Sequence, residues 1–437
     1  MALGPLKDDV HILFASRILR LFAYGFLSVV LVLYLAASGL SEREIGLLLT
    51  LTLVGDAAVS LYITTSADRV GRRRMLLVGA ALMVFAGVLF ATTRSFLPLL
   101  IGATFGVISP SGNEVGPFLA IEQAALADSV PASRRTWTFA WFTLVGSFAT
   151  ALGALAGGGL AQALQAGGTA PLASYRAVVL GYALVGVFLV PVFFHLSPAI
   201  EPLPLTPVKE RPAFLHADLG LGPSRSVVLR LAGIFSIDSF AGGFVVQSFV
   251  AYWFHTRFGV APATLGSIFF GANILAGISA LSATRIARKI GLLNTMVVTH
   301  LPSNVLLLLV PLMPNLTLAV TVLLLRFSIS QMDVPTRQAY TMALVTPGER
   351  SAAAGVTGIA RTAGASLAPL FASPLYASAA LSSLPFFISG GLKIVYDLLV
   401  WWSFRKVRLP EGEGARPSAR EADQPSCTGR RTKRLRA

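Results

Sequence analysis

The stretch "TTSADRVGRRRM", residues 64 to 75, is a short polar segment between two long apolar runs. It contains one acid, Asp68, and four arginines distributed on either side of Gly71. Glycine at such a position permits a tight turn that another residue would strain. An apolar run, a basic turn and a second apolar run predict two membrane-spanning helices joined on one side of a bilayer.

The rest of the chain likewise consists mostly of long apolar runs separated by short polar segments. Its 437 residues are 54% hydrophobic and 13% charged, with a mean hydropathy of +0.72, whereas a soluble domain needs more charge to cover its surface. Apolar runs of about 20 residues, the length that crosses a bilayer, recur from one end to the other. We therefore predict an all-α integral membrane protein with twelve transmembrane helices, numbered here as spans 1 to 12, near residues 12–37, 45–66, 75–93, 97–127, 138–165, 173–197, 227–254, 263–284, 292–313, 316–345, 351–378 and 384–404.

Irregular sequence divides the chain into four parts. Residues 198–224 are rich in proline and charge, which predicts a cytoplasmic linker between two six-helix halves, 1–197 and 225–404. Residues 405–437 mix basic side chains with proline, glycine and serine and are expected to form a disordered basic cytoplasmic tail. The amino terminus shows no small-residue cleavage site, so we expect span 1 to be retained.

The net charge of +15 is explained by membrane topology. Short loops on one side of the predicted bundle carry most of the basic residues, namely Arg69, Arg72, Arg73, Arg74, Arg134, Arg135, Arg285, Arg288, Lys289 and Arg350. Loops on the other side carry only Arg43, Arg94, Arg176 and Arg257. This asymmetry predicts that the first group and both termini are cytoplasmic. We expect the membrane to be a plasma or inner membrane. We expect no nucleic-acid partner, since the basic tail suits anionic lipid equally well.

Several functional classes lack their usual residues. The five histidines are scattered without metal-ligand spacing, and Cys427 is the only cysteine, so neither a metal site nor an intramolecular disulfide is expected. No clustered catalytic set and no Gly-x4-Gly-Lys-Ser/Thr motif occurs, so we expect neither an enzyme nor a cofactor. Any work that the protein performs would draw on an ion gradient.

The two halves share an ordered series of matching residues. Three glycines recur 220 residues later, Gly39, Gly46 and Gly71 matching Gly259, Gly266 and Gly291. Further along, Glu114 matches Asp333 at an offset of 219, and residues 149–158 match 364–373 at an offset of 215. Six spans give the second copy the same orientation as the first. Such a parallel repeat favours a substrate site between the halves.

Residues 64 to 75 resemble the signature loop of the major facilitator superfamily, Gly-x-x-x-Asp-Arg-x-Gly-Arg-Arg. The matching residues are Asp68, Arg69, Gly71, Arg72 and Arg73, while Thr64 stands where the family usually has glycine. The resemblance covers roughly residues 10 to 405 and implies two pseudo-symmetric six-helix bundles, alternating access and a gating role for the matching residues. In the family the acid meets the positive end of a helix of the other half, a contact worth about 0.3–1 kcal/mol.

The resemblance says less about the direction of transport and the identity of the substrate than about the fold. Proton-driven exporters of the superfamily often carry a glycine-proline motif in span 5 and an arginine in span 4. Here span 5 keeps only the small residues, "ATALGALAGGGL" at 149–160, and the arginine is found instead in span 10 as Arg326. Export by a proton antiporter is expected from the resemblance alone. Proton-coupled import and a non-transporting receptor on the same scaffold remain alternatives, and no substrate is singled out.

Ionisable side chains inside a bilayer are costly and usually functional. The resemblance implies that spans 1, 4, 7 and 10 line a central cavity. We therefore assign a proton and substrate pathway to Arg20, Asp56, Asn113, Glu114, Glu122, Asp238, Asp333, Arg337 and Arg361. Protons, a small solute and the lipid bilayer are the expected partners of a monomer.

Within this set, Glu114 is the expected proton-coupling carboxylate, because burial beside Pro110 and Pro117 would favour its neutral form. Glu122 is expected nearer the cytoplasmic end, paired with Arg337 or a loop arginine. The alternative is that both carboxylates only cap and brace bent helices. In span 12, Lys393 and Asp397 are expected to form a structural i,i+4 pair.

Overall fold

The computed structural model describes residues 4–112, 118–201, 222–346 and 349–407, and no β-strand occurs within these ranges. Every predicted span corresponds to one helix or to two consecutive helices, which confirms the twelve-span prediction. The spans, in order, are Gly4–Ser28 with Leu31–Ala37, Glu42–Val70, Arg72–Thr92, Phe96–Phe105 with Phe118–Ser129, Ala132–Ala166, Pro171–Phe194, Arg225–Gly243 with Gln247–Phe258, Pro262–Ile290, Leu292–Leu309, Leu316–Ser330 with Asp333–Leu344, Arg350–Ala377, and Leu384–Phe404.

Ten of the described spans are long and apolar enough to cross a membrane on their own. The other two are spans 4 and 11. Span 4 is divided, so that its first helix, Phe96–Phe105, is only 10 residues long. Span 11 has 28 residues but is rich in alanine, glycine and serine and carries Arg361, which lowers its apolarity. Both spans therefore depend on neighbouring helices for burial.

The divided spans are 1, 4, 7 and 10, which occupy equivalent positions in the two halves. Freed backbone groups at a break are tolerated in a bilayer only where they are buried in protein or line a cavity. Here the breaks of three spans meet at the interface between the halves. The backbone N–H of Ser248 in span 7 donates to the carbonyl of Pro110 in span 4 at 3.1 Å, and Gln247 donates to the Ser28 hydroxyl of span 1 at 2.8 Å.

Two pairs of unbroken helices complete the interface between the halves, span 2 against span 11 and span 5 against span 8. Small residues set the separation of these helices. A Cβ atom on Gly46 would lie 2.8 Å from the Pro369 carbonyl oxygen, and one on Gly158 would lie 2.2 Å from that of Pro262. The small residues of span 5 therefore serve close helix packing in this arrangement.

The bundle has a linker end, where the turn at Gly71 and the linker residue Glu201 lie, and a far end, where the turns at Gly39 and Gly259 lie. Gly46 and Gly158 are close to the far end of their helices. The contact of Gly277 with Ser147 is at mid-depth, where a Cβ on the glycine would lie 3.0 Å from the serine Cβ. The two halves are thus closed against each other at the far end.

Candidate functional site

In the first half, the buried charges form an ion pair between spans 1 and 4. Arg20 donates to Glu122 Oε2, and both side chains are fully buried. The other carboxylate oxygen, Oε1, accepts a hydrogen bond from the Ser16 hydroxyl at 2.6 Å. The guanidinium also lies over the ring of Phe118, 4.5 Å from its centroid. Arg20 and Glu122, both predicted as pathway residues, are therefore brought together.

In the second half, a larger buried cluster forms around Asp238 of span 7. Its Oδ2 atom lies 2.9 Å from Arg337 NH1 of span 10, and its Oδ1 atom lies 2.6 Å from Lys393 Nζ of span 12. Arg337 also pairs with Asp333 one helical turn away, at 3.1 Å, so the two share a helix face as expected from their spacing. Asp238 thus joins three spans, each through a buried charge.

The two ion pairs occupy equivalent positions with their charges exchanged. Arg20 and Asp238 are 218 residues apart (238 − 20), and Glu122 and Arg337 are 215 apart (337 − 122). Glu122 is the fifth residue of Phe118–Ser129 and Arg337 is the fifth of Asp333–Leu344, helices of 12 residues each. Each half therefore ties its first span to its fourth with one buried ion pair.

This arrangement corrects two predicted pairings. The expected Glu122–Arg337 contact is wrong for this conformation, since each residue pairs within its own half. The expected Lys393–Asp397 pair is also wrong. Lys393 binds Asp238 instead, because its long side chain reaches span 7 from span 12.

His300 of span 9 is a member of the cluster that sequence reasoning missed. Its Nδ1 atom lies 2.8 Å from Oδ1 of Asp397, and its Nε2 atom lies 3.9 Å from Oδ1 of Asp238. Asn304, one turn along span 9, donates to the other oxygen of Asp397 at 2.9 Å. All four side chains are buried. A single histidine within an apolar span was the only signal in the sequence.

Two other pathway residues, Asp56 and Arg361, lie near hydroxyl groups. Asp56 is half-buried, with the Ser60 hydroxyl at 3.5 Å from its Oδ1 atom. Arg361 of span 11 donates to the Ser239 hydroxyl of span 7 at 3.3 Å. Asn113 and Glu114 lie outside the described residues, so the expected coupling role of Glu114 stays a prediction.

The expected gate is described in part. Asp68 and Arg69 lie at the end of the helix Glu42–Val70, but their side chains are outside the described part of the structure. Gly71 has a φ of +112°, the left-handed region that favours glycine, which confirms the tight turn. A side chain at this position would be strained.

The two arginines after this glycine contact the start of the linker. Glu201 accepts hydrogen bonds from the backbone N–H groups of Arg72 and Arg73 at 2.6 and 3.2 Å. It therefore places a carboxylate at the positive end of the helix Arg72–Thr92. The Arg72 guanidinium donates to Asp128 at 2.7 Å and to the Ile200 carbonyl at 3.1 Å. Between them these contacts fix the linker to the first half.

The other end of the linker is fixed to the second half. Hydrogen bonds from Ser224, the Gly222 backbone N–H and the Thr346 hydroxyl hold the pKa of the Glu349 carboxyl below its usual range. An acid whose pKa is lowered on folding contributes stability that is lost as the pH falls through that pKa. This anchor should therefore persist at neutral pH and weaken only in acid.

Metal chemistry receives no support from the described residues. Within them, no group of three or more histidine, cysteine, aspartate or glutamate side chains is arranged to hold a metal ion. In the Asp238 cluster, Arg337 and Lys393 take the carboxylate oxygens that a metal would need. What the arrangement can do chemically is exchange ion-pair partners and bind or release protons.

Comparison with known proteins gives both sequence and structural matches. The family model described as Major Facilitator Superfamily matches residues 13–369. An uncharacterized membrane protein of Saccharomyces cerevisiae, YJR124C, is 33% identical over 422 residues, covering 90% of this chain and 93% of the yeast protein.

Solved structures match in fold at low identity. A mutant of the nucleoside transporter NupG matches with a TM-score of 0.71 and 12% identity, covering 91% of this chain and all of that one. A bacterial homologue of the human lysosomal transporter Spinster, inward-facing and occupied, matches with 0.70 and 15%, covering 93% and 98%. The human organic anion transporter MFSD10 matches with 0.62 and 18%, covering 91% and all of that chain.

Proposed function

The chain belongs to the major facilitator superfamily, and we propose that it is a proton-coupled secondary transporter that moves a small solute by alternating access. The observation that carries this proposal is the charge-exchanged duplication of the buried ion pair, Arg20–Glu122 in one half and Asp238–Arg337 in the other. Both pairs join the spans that line the central cavity in this family.

Energetics supports a functional reason for these pairs. Desolvating two charges costs several kcal/mol per ion, and apolar residues of similar volume are often as stable or more so. A fold held together by apolar packing does not need an ion pair at this place in both halves. Pairs that can exchange partners between two conformations give alternating access a physical basis, and the broken helices of spans 1, 4, 7 and 10 provide positions that can bend.

The finer parts of the proposal rest on the resemblance and on charge distribution. We take the direction to be export in antiport with protons, and the location to be a plasma or inner membrane with both termini cytoplasmic. The basic loops at the linker end support that orientation. We take the protein to act as a monomer. An importer would accumulate solute under the opposite pH gradient, and a receptor would accumulate none.

The function is tested with purified protein in proteoliposomes. The vesicles are placed in an equimolar mixture of organic acids, nucleosides, monosaccharides and dipeptides, a pH gradient of either sign is imposed, and the vesicle contents are measured by mass spectrometry. We expect at least one class of solute to accumulate in response to one sign of the gradient and to be released by a protonophore. Folded protein that moves no solute under either gradient would contradict the proposal.

Replacing Asp68 with Asn tests the proposed gate. The change removes a charge–helix contact worth about 0.3–1 kcal/mol, so we expect transport to slow roughly two- to fivefold while yield and thermal stability stay unchanged. Arg288→Gln, at the repeat-equivalent position, is the matched control and should have little effect. An unchanged rate in well-expressed Asp68→Asn protein would show that this acid has no gating role.

Replacing Gly158 with Ile tests the closed far end. Its side chain would meet the Pro262 carbonyl, from which even a Cβ would be 2.2 Å away. We expect the variant to favour the conformation open at the far end and to transport at less than a tenth of the normal rate. Single cysteines placed at the far end of span 8 should label faster with a water-soluble maleimide. Gly159→Ile is the control, because a Cβ there meets nothing within 4 Å; equal labelling in both variants would refute the assignment.

A further inference from the structure

We infer that His300 and Asp397, together with Asp238, form the proton-binding site of the second half. The inference rests on the proposed function and deepens it, because it names groups of the second half that bind a coupled proton. His300 lies between two carboxylates, with Nδ1 facing Asp397 at 2.8 Å and Nε2 facing Asp238 at 3.9 Å. An imidazole in this position can satisfy both carboxylates only when both ring nitrogens carry a proton.

The charges of the cluster support one bound proton. Among the groups joined by ion-pair contacts, three carboxylates face one guanidinium and one ammonium, so the sum without a protonated imidazole is −3 + 2 = −1. The members are Asp238, Asp333, Asp397, Arg337 and Lys393, all buried. An uncompensated charge at such depth is strongly unfavourable. One proton on His300 brings the sum over these contacting groups to zero.

The helices around His300 contribute both charged and neutral groups. The charges that act most strongly on His300 are those of Asp333, Asp397 and Asp238. Asn304 of the same helix donates to Asp397, and the ring of Tyr396 meets His300 edge-on at 5.7 Å between centroids. These last two contacts hold the carboxylate and the imidazole in place without adding charge.

Two further guanidiniums lie at the rim of the cluster, Arg326 of span 10 and Arg361 of span 11. Both interact electrostatically with Asp238 and Asp333, and both are half-buried. Neither forms an ion pair with a carboxylate in the part of the chain that the structure describes. If Asp238 moves towards these guanidiniums, their positive charge disfavours a protonated His300. That movement therefore favours release of the proton.

The repeat shows that the fold itself does not require this site. His300 is 9 residues after Gly291, and the equivalent position after Gly71 is Ala80, a fully buried apolar residue (300 − 220 = 80). The first half therefore forms the same helix with a methyl group where the second half has an imidazole. The cluster is an addition specific to one half, as expected of a site that carries one proton per cycle.

Proton binding at this site is linked to the conformation of the cavity. Asp238 contacts His300, Lys393 and Arg337, so spans 7, 9, 10 and 12 share one electrostatic network. A proton enters from water and adds to the imidazole, and no other bond forms or breaks. Its loss leaves one negative charge uncompensated, which favours a conformation in which Asp238 gains water or another cation. Protonation thus selects between two arrangements of the same helices.

The site is tested directly by nitrogen NMR of ¹⁵N-histidine-labelled protein in nanodiscs, with the proton as the only ligand. The His300 signals are assigned by their loss in His300→Gln. We expect both ring nitrogens of His300 to be protonated at pH 6.5, and one of them to lose its proton in Asp397→Asn at the same pH. His195→Gln, which replaces an exposed histidine, should leave the His300 signals unchanged. A neutral imidazole throughout pH 5–8, or no response to Asp397→Asn, would overturn the inference.

The transport assay separates this inference from the proposed function. With a solute that wild-type protein accumulates, His300→Gln should keep solute exchange without a gradient yet lose at least tenfold of gradient-driven accumulation. Accumulation that survives in His300→Gln would remove the site from coupling. Wild-type protein that accumulates nothing would refute the proposed function, while the NMR result would still decide the protonation of His300.

Discussion

Glu122→Lys should abolish transport and sharply lower the yield of folded protein. The change places an ammonium against Arg20 in a fully buried position, where the native pair leaves no access to water. Removing one partner of a buried ion pair costs about 3–5 kcal/mol, and like charges in contact cost more. The measurement is the thermal unfolding midpoint in detergent, followed by flux in proteoliposomes.

A double variant that exchanges the two charges of the pair is compared with Glu122→Lys. The double variant Arg20→Glu, Glu122→Arg reproduces in the first half the charge order of Asp238 and Arg337. We expect it to recover much of the lost stability. Gln123→Asn, a conservative change on the exposed face of the same helix, should change stability by less than about 1 kcal/mol. A double variant no more stable than Glu122→Lys would show that the pair does not act as an ion pair.

Asp238→Asn should both destabilise the protein and abolish transport. It removes the carboxylate that holds Lys393 at 2.6 Å and Arg337 at 2.9 Å, leaving buried cations with fewer partners. We expect a loss of about 3–5 kcal/mol and no measurable transport. Asp128→Asn is the control, since that carboxylate is largely exposed, and surface ion pairs contribute about 0–1 kcal/mol.

A double-mutant cycle tests the mechanism of this loss. Lys393→Met removes the buried ammonium that Asp238→Asn leaves without a carboxylate. The combined variant should therefore be more stable than the sum of the two single effects predicts, by about 1–3 kcal/mol. Additive effects within about 0.5 kcal/mol would mean that Lys393 and Asp238 are not coupled.

The fold could be predicted from the sequence largely because a bilayer imposes a length requirement. Apolar runs of about 20 residues are visible without knowledge of tertiary contacts, and all twelve correspond to helices. The breaks within spans 1 and 7 were not anticipated. They depend on polar groups such as Ser28 and Gln247 meeting across the interface, 219 residues apart in sequence.

The site was predicted less completely, because sequence spacing identifies charged residues but not their partners. Arg20 and Asp238 lie at equivalent positions of the repeat, and the offset of 215 that relates residues 149–158 to 364–373 also matches Glu122 with Arg337. Instead these two were expected to contact each other.

His300 was missed in the sequence for a different reason. The scattered spacing of the histidines argues against a metal or catalytic site, and it says nothing about a buried proton site. The partners of His300 come from spans 7 and 12, 62 and 97 residues away (300 − 238 and 397 − 300). Only tertiary packing brings such residues together, so no local pattern could reveal the cluster.

We propose that the two charge-exchanged ion pairs serve transport and not stability. The most direct test of this proposal is gradient-driven accumulation by the double variant Arg20→Met, Glu122→Leu in proteoliposomes. Apolar replacement of both partners should leave the unfolding midpoint unchanged or raised, because both charges of the buried pair are removed together. We expect a stable, correctly inserted protein that accumulates no solute; wild-type levels of accumulation in that variant would refute a transport role for the pairs.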